Sequence, residues 1–348
     1  MERSNLIYGT FQIRGGRVRW GLIGASTIAA EHMIGAIRAE GGKIAWVAGS
    51  EAARVAAYAA KHAIANSGTD IETLLAEDIV DAVYISSTNE KHLQQALMAI
   101  ASGKHVLCEK PLALRSKDAR KMVETATDRS VLFATNHHLR NAGSHMAIRD
   151  LIQTGRIGTV LSIRVHHAVF LPPHLQGWRI NDAAAGGGVI ADITVHDADT
   201  VRFHLGEDPV EVVAISTTSG LGQGVEDSVM SVWSMPSGTQ VFAHESFTHA
   251  YAGTGIEVHG TKGSIIAKGV MTQQPVGDIE LLTDGGREQV PYSTHNLYRQ
   301  SVKRFQEAVA GKGKPAADGW DGVKSLAVAE AVKEAAATGR RIQVNYGG

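Results

Sequence analysis

One cysteine, Cys108, stands in a chain of 348 residues. No internal disulfide can form, and a reducing cytoplasm is the expected compartment. An excess of either charge is also missing. The net charge of −1 excludes the concentrated positive field that a nucleic-acid partner requires. No apolar run approaches the roughly 20 residues that span a bilayer, so no membrane partner is expected. Residues 1–16 lack the apolar core and cleavage site of a signal peptide and are expected to be a flexible leader or an over-extended start. Internal repeats and low-complexity linkers are absent. What is there is 44% hydrophobic and 20% charged, as in ordinary globular proteins. The length exceeds one typical core, so two domains are expected.

Residues 18–138 alternate short apolar runs with helical patterns. Strands are predicted at 18–23, 44–48, 82–85, 106–108 and 131–135, and helices at 27–39, 52–62, 71–77, 90–102 and 117–126. Strand–helix alternation with short links predicts a doubly wound parallel sheet, a Rossmann domain over residues 17–138. After Asn136 the pattern changes. A helix at 143–153, a strand at 160–170 and a helix at 189–203 precede alternating runs between 210 and 290, and helices at 297–310 and 323–337 follow. Successive strands without helices between them predict a large, mostly antiparallel open sheet in an α+β domain over residues 139–348. That open sheet suits either a monomer or a sheet-mediated dimer.

Gly21-x-x-Gly24-x-Ser26-x-x-Ala29 lies between the first strand and the first helix, where a dinucleotide-binding turn belongs. Gly24 permits the tight turn, and the helix N-terminus offers N–H groups to a pyrophosphate. Ser26 and Ala29 replace the second and third glycines of the usual fingerprint. Cofactor choice is written after the second strand. Gly49 and Ser50 leave room there for a 2′-phosphate that Arg54 could clamp, which favours NADP(H). Alternatively Arg54 pairs with Glu51 on a solvated face, or Glu51 serves NAD. Ser87, Thr88 and Asn89 follow the 82–85 strand and suit the ribose and nicotinamide, with His92 one turn on, directed at the cleft. The same residues also suit a helix N-cap.

The run His105-Val106-Leu107-Cys108-Glu109-Lys110-Pro111 reads as a late strand ending in an amine. Ligands of open α/β sheets sit beyond the carboxyl ends of strands, so Lys110 would polarise a carbonyl there. The plain alternative is a surface lysine paired with Glu109. Asp192 and His196 are four apart in a predicted helix and share a face. A carboxylate beside an imidazole suits a general acid, and it equally suits a buried structural pair. Despite 16 histidines, no metal is expected, because His137, His138, His166 and His167 lack helical ligand spacing. Together these groups point to hydride transfer between a nicotinamide and a small substrate.

These motifs resemble the Gfo/Idh/MocA oxidoreductase family, with Glu109-Lys110-Pro111 the most distinctive signature. The likeness runs from about Val18 to the C-terminal helices. It includes WGLIGASTIA at 20–29, TNHHLRN at 135–141, LPPHLQGWR at 171–179 and DITVHDAD at 192–199. The resemblance implies NADPH-dependent reduction of the 2-keto group of a sugar. It implies cofactor contacts from Ala25, Ser26, Thr27, Ile28, Gly49, Ser50, Arg54, Ser87 to His92, Glu109, Lys110, Asn136, Trp178, Arg179 and Tyr298. Gly49 stands where the pattern has a serine. Dehydrogenation of another sugar or an inositol, or a cofactor-binding regulator without chemistry, are the alternatives.

Overall fold

The computed structural model describes residues 17–347; the expected leader at 1–16 lies outside them. Strands β1 (Arg19–Ile23), β2 (Lys43–Ala48), β3 (Asn66–Gly68), β4 (Ala82–Ile85), β5 (His105–Cys108) and β6 (Phe133–Thr135) form one sheet in the order β3-β2-β1-β4-β5-β6. Every pairing in it is parallel. Helices cover both faces, which is why Leu22, Val47, Tyr84, Ile85 and Leu107 are all buried rather than alternating with polar residues. Gly21 is fixed by packing: a Cβ there would sit 2.3 Å from the Trp46 ring. The strand order reverses between β1 and β4, which puts the ligand crevice of such a sheet beyond their carboxyl ends.

Of the described residues, 17–113, 118–136 and 298–320 form the first compact unit. The helix Leu297–Val309, grouped with the second half on sequence order, therefore packs with the first. Tyr298, Val302, Phe305 and Val309 form its apolar stripe and join the core around Trp20, with Trp20 and Phe305 rings 5.2 Å apart. Periodicity reveals such a stripe but not which core it covers.

The second unit is built on nine strands: β7 (Val160–Ala168), β8 (Glu211–Thr217), β9 (Ser228–Ser234), β10 (Gln240–Ser246), β11 (Thr254–Gly260), β12 (Gly263–Lys268), β13 (Asp278–Thr283), β14 (Gly286–Gln289) and β15 (Ile342–Gln343). Their order is β14-β13-β12-β11-β7-β10-β9-β8-β15, antiparallel except for β7 beside β10. In β9 side chains alternate strictly. Val229, Ser231 and Trp233 face inward, while Met230 and Val232 stay exposed. Helix Val195–Leu205 lies on the inner face with residues 195–204 all buried, and ends at left-handed Gly206. The fold is thus α/β, a Rossmann sheet plus an α+β domain with a large, mostly antiparallel open sheet. Among the described residues, no helix is long and apolar enough to cross a membrane.

Candidate active site

In the first unit the turn after β1 is tied to the turn after β4. Gly24 has φ +114°, and a Cβ there would lie 2.7 Å from the Ser87 backbone nitrogen, so only glycine fits. Ser26 Oγ accepts from Ala29 N at 3.2 Å and shares a 2.7 Å hydrogen bond with Ser86 Oγ. Tyr58 donates to the Ser26 carbonyl. Ala25, Thr27 and Ile28 complete this turn, which leads into the π-turn Ala29–Met33.

After β2, Gly49 and Ser50 precede Glu51, the N-cap of helix Ala52–Lys61. Both Glu51 carboxylate oxygens accept backbone N–H groups, from Ala53 and Arg54, at 3.0 Å. Arg54 instead reaches back to donate to the Ala25 carbonyl at 3.3 Å. Ser87 Oγ donates to Gln95 and Thr88 Oγ1 to Glu90, and Asn89 opens a short 3-10 turn. His92 differs from the sequence expectation. Rather than facing an open cleft, it is fully buried between the Pro111 carbonyl at 2.9 Å and the Ser87 carbonyl at 3.1 Å. The apolar face of its helix carries it inward, and burial lowers its pKa despite those carbonyls. It staples the β4 turn to the β5 turn.

Glu109, at the end of β5, accepts from Tyr84 at 2.5 Å and from Asn136 Nδ2 at 2.6 Å, while Asn136 Oδ1 accepts from Ser301 at 2.9 Å. Burial pushes the Glu109 carboxyl up in pKa against the pull of these donors and of Lys110. Lys110 follows this anchored carboxylate and is half-buried, with a cis Lys110–Pro111 peptide. Tyr298 is buried, its ring stacked on His32 at 4.4 Å.

In the second unit Trp178 and Arg179 open a short helix, and the guanidinium lies 4.8 Å above the Trp178 ring. Arg179 Nε also meets Asp192 Oδ2 at 3.3 Å. Gly187 lets this helix dock, since a Cβ would fall 2.6 Å from the Trp178 carbonyl. Asp192 lies in the π-turn Ile190–Thr194 and His196 in the α-helix that continues it. π-turns often mark functional sites. The His196 ring is nearly buried among three others, His138 at 4.9 Å, His137 at 6.3 Å and His167 at 6.4 Å between ring centres.

Two networks escaped the sequence reading. Arg140 grips Asp199 with two hydrogen bonds, at 2.8 and 2.7 Å, and reaches Asp321 at 2.9 Å. Burial lowers the neighbouring His137 to a pKa of about 4 even with Asp199 near. His167 Nδ1 meets the buried Asp197 at 3.0 Å, beside the buried Glu245. The signal for Glu245 lay in strand parity: Val241 and Ala243 point inward, so Glu245 must too. Among the described residues no group of three or more His, Cys, Asp or Glu side chains is arranged to hold a metal ion. Lys110 belongs to the first unit, Asp192 and His196 to the second.

Residues 18–137 match an oxidoreductase family with an NAD-binding Rossmann fold, and residues 145–266 match the GFO/IDH/MocA C-terminal domain. The chain is 54% identical to 1,5-anhydro-D-fructose reductase of Ensifer adhaerens over 94% of its own length and 99% of the relative's. It is 30% identical to inositol 2-dehydrogenase of Rhizobium meliloti, with the same coverage of each chain. Its fold matches a solved aldose-aldose oxidoreductase from Caulobacter crescentus with a TM-score of 0.86, at 23% identity, over 94% of this chain and 99% of that one. The chain belongs to the GFO/IDH/MocA oxidoreductase family. It is an oxidoreductase with a nicotinamide cofactor and a small-molecule substrate.

Proposed function

We propose that this family member reduces the 2-keto group of a sugar with NADPH, converting 1,5-anhydro-D-fructose to 1,5-anhydro-D-mannitol. The similarity to the Ensifer reductase, 54% over nearly the whole of both chains, carries the reading. The residues of the first unit fit a dinucleotide. The β1 turn needs glycine at position 24, and a helix opens just after it, so N–H groups are available for phosphate. Preference for NADP(H) is supported by the occupation of Glu51 as a helix cap, which takes its carboxylate away from a ribose hydroxyl. Arg54, folded over the turn, then offers its guanidinium to a 2′-phosphate.

Bound NADPH supplies the hydride for the carbonyl carbon. Lys110 polarises the carbonyl oxygen, its backbone following directly on the buried, hydrogen-bonded Glu109. His196 gives that oxygen a proton. Asp192, with Arg179, orients the substrate beside His196. The first unit would hold the cofactor, and Trp178, Arg179 and the helix carrying His196 would shape the substrate pocket. The buried Cys108 suits a cytoplasmic enzyme.

A second reading, dehydrogenation of an inositol, is favoured by the similarity to the inositol 2-dehydrogenase. Steady-state rates with 1,5-anhydro-D-fructose, other ketoses and cyclitols, each with both nicotinamide cofactors, decide between them. Highest kcat/KM for 1,5-anhydro-D-fructose with NADPH is expected; a higher value for a cyclitol overturns the proposal.

A further inference from the structure

Behind the His196 helix lie two carboxyl groups for which the reaction has no assigned use. Glu245 sits on β10 in register with His167 on β7, its side chain fully buried. Asp197, next in sequence to His196, is also fully buried, and its Oδ1 lies 3.0 Å from His167 Nδ1. Its Oδ2 and both Glu245 oxygens make no well-formed hydrogen bond with a fixed donor. Asp197 and Glu245 thus both adjoin His167, one by hydrogen bond and one by strand register, and each raises the cost of ionising the other. Two adjacent carboxylates cannot both stay ionised away from water, because each repels the other and neither is hydrated. One proton between them removes the repulsion and provides the missing donor.

We propose that Glu245 is a neutral acid donating to the Asp197 carboxylate, and that this pair fixes His167 in its Nδ1–H form as a second positioned imidazole beside His196. Asp197 is the ionised partner because it faces an imidazole N–H, which favours the charged form. Burial pushes both carboxyls up in pKa, Glu245 well above the carboxylate range. The other titratable groups around the cluster are His166, His145, Asp199 and His196. The strand partners of Glu245 on β9 and of His167 on β11, Val229 and Thr254, carry no charge. With Nδ1–H committed to Asp197, His167 keeps Nε2 as an acceptor, its ring centre 6.4 Å from that of His196. His167 thereby becomes a positioning residue for the proton donor. Only the kinetic consequence rests on the keto-reductase reading.

The direct test is the tautomer of His167, read from two-bond proton–nitrogen NMR spectra at about pH 8 and assigned with a His167→Gln variant. The intact protein should show Nδ1 protonated and Nε2 bare. Glu245→Gln, whose amide still donates to Asp197, should keep that form, whereas Glu245→Val and Asp197→Asn should lose it. An Nε2–H ring in the unmodified protein overturns the proposal, as does loss of the Nδ1–H form in Glu245→Gln. Infrared spectra of the unmodified protein give a check that needs no variant to fold stably except the isosteric Glu245→Gln. A protonated-carboxyl C=O band that vanishes in Glu245→Gln is expected, and its absence from the unmodified protein counts against the neutral acid. In turnover, Asp197→Asn should lower kcat about tenfold or more with little change in KM, and should alter the pH profile. If no keto sugar is reduced at all, the function reading fails while the NMR and infrared results still stand.

Discussion

Arg54 and Glu51 are three residues apart on one helix start, yet their charged side chains do not pair there. The carboxylate is turned down into the helix as its cap, and the guanidinium is folded back over the Ala25 carbonyl. Arg54→Ala should therefore weaken NADPH far more than NADH. Loss of a charge-assisted contact to a phosphate predicts about a 10- to 100-fold rise in Kd for NADPH, measurable by titrating the fluorescence of each reduced cofactor. Equal losses for both would assign the ribose contact elsewhere. A second single-residue device is Asp227, whose carboxylate collects the N–H groups of Ser219, Gly220, Leu221 and Gly222 at 2.8 to 3.1 Å. Burial opposes ionisation, but the four N–H donors prevail and hold the group down at a pKa of about 2, against 3.8 unperturbed. A depressed carboxyl stabilises the fold fully above the unfolded pKa and loses that contribution as pH falls through the folded one. Asp227→Asn should then cost about 2 kcal/mol at neutral pH. The difference in urea stability between variant and parent should shrink between about pH 4 and pH 2.

At the scale of elements, the helix Leu297–Val309 shows what the sequence could and could not disclose. Its apolar stripe was legible, but its docking on the Rossmann sheet was not, because the stripe looks the same whichever core receives it. Phe305→Ala should destabilise the first unit by about 3–5 kcal/mol, read from urea unfolding followed by circular dichroism. An unfolding midpoint within error of the parent would deny this helix its place in that core. The parallel strands were legible because each is a buried apolar run between turn residues. β3, with its polar Asn66-Ser67-Gly68, gave no such signal. The helix around Asp192 and His196 was expected as a plain α-helix, and its π-turn has no signature in residue spacing. Lys110, Asp192 and His196 could be singled out because each stands at a strand end or on a shared helix face. Arg140 and Glu245 could not be connected to them, since their partners are 59 and 48 residues away in the chain. His92 carried the right residue type for a ligand but sits on the buried side of its helix, wedged between the Pro111 and Ser87 carbonyls, to one of which a neutral ring donates.

Over the whole molecule, the proposed roles fall on residues of both units. The first carries the glycine turn, Arg54 and Lys110; the second carries Trp178, Arg179, Asp192 and His196. The proposed reaction depends on Lys110 polarising the reacting carbonyl. Single-turnover loss of NADPH absorbance on mixing with 1,5-anhydro-D-fructose tests it most directly, comparing the parent with Lys110→Ala. Since the amine is used chiefly in the transition state, the rate should fall about 10²- to 10⁴-fold in the variant while NADPH affinity changes far less. A variant that oxidises NADPH at the parent's rate would contradict the mechanism.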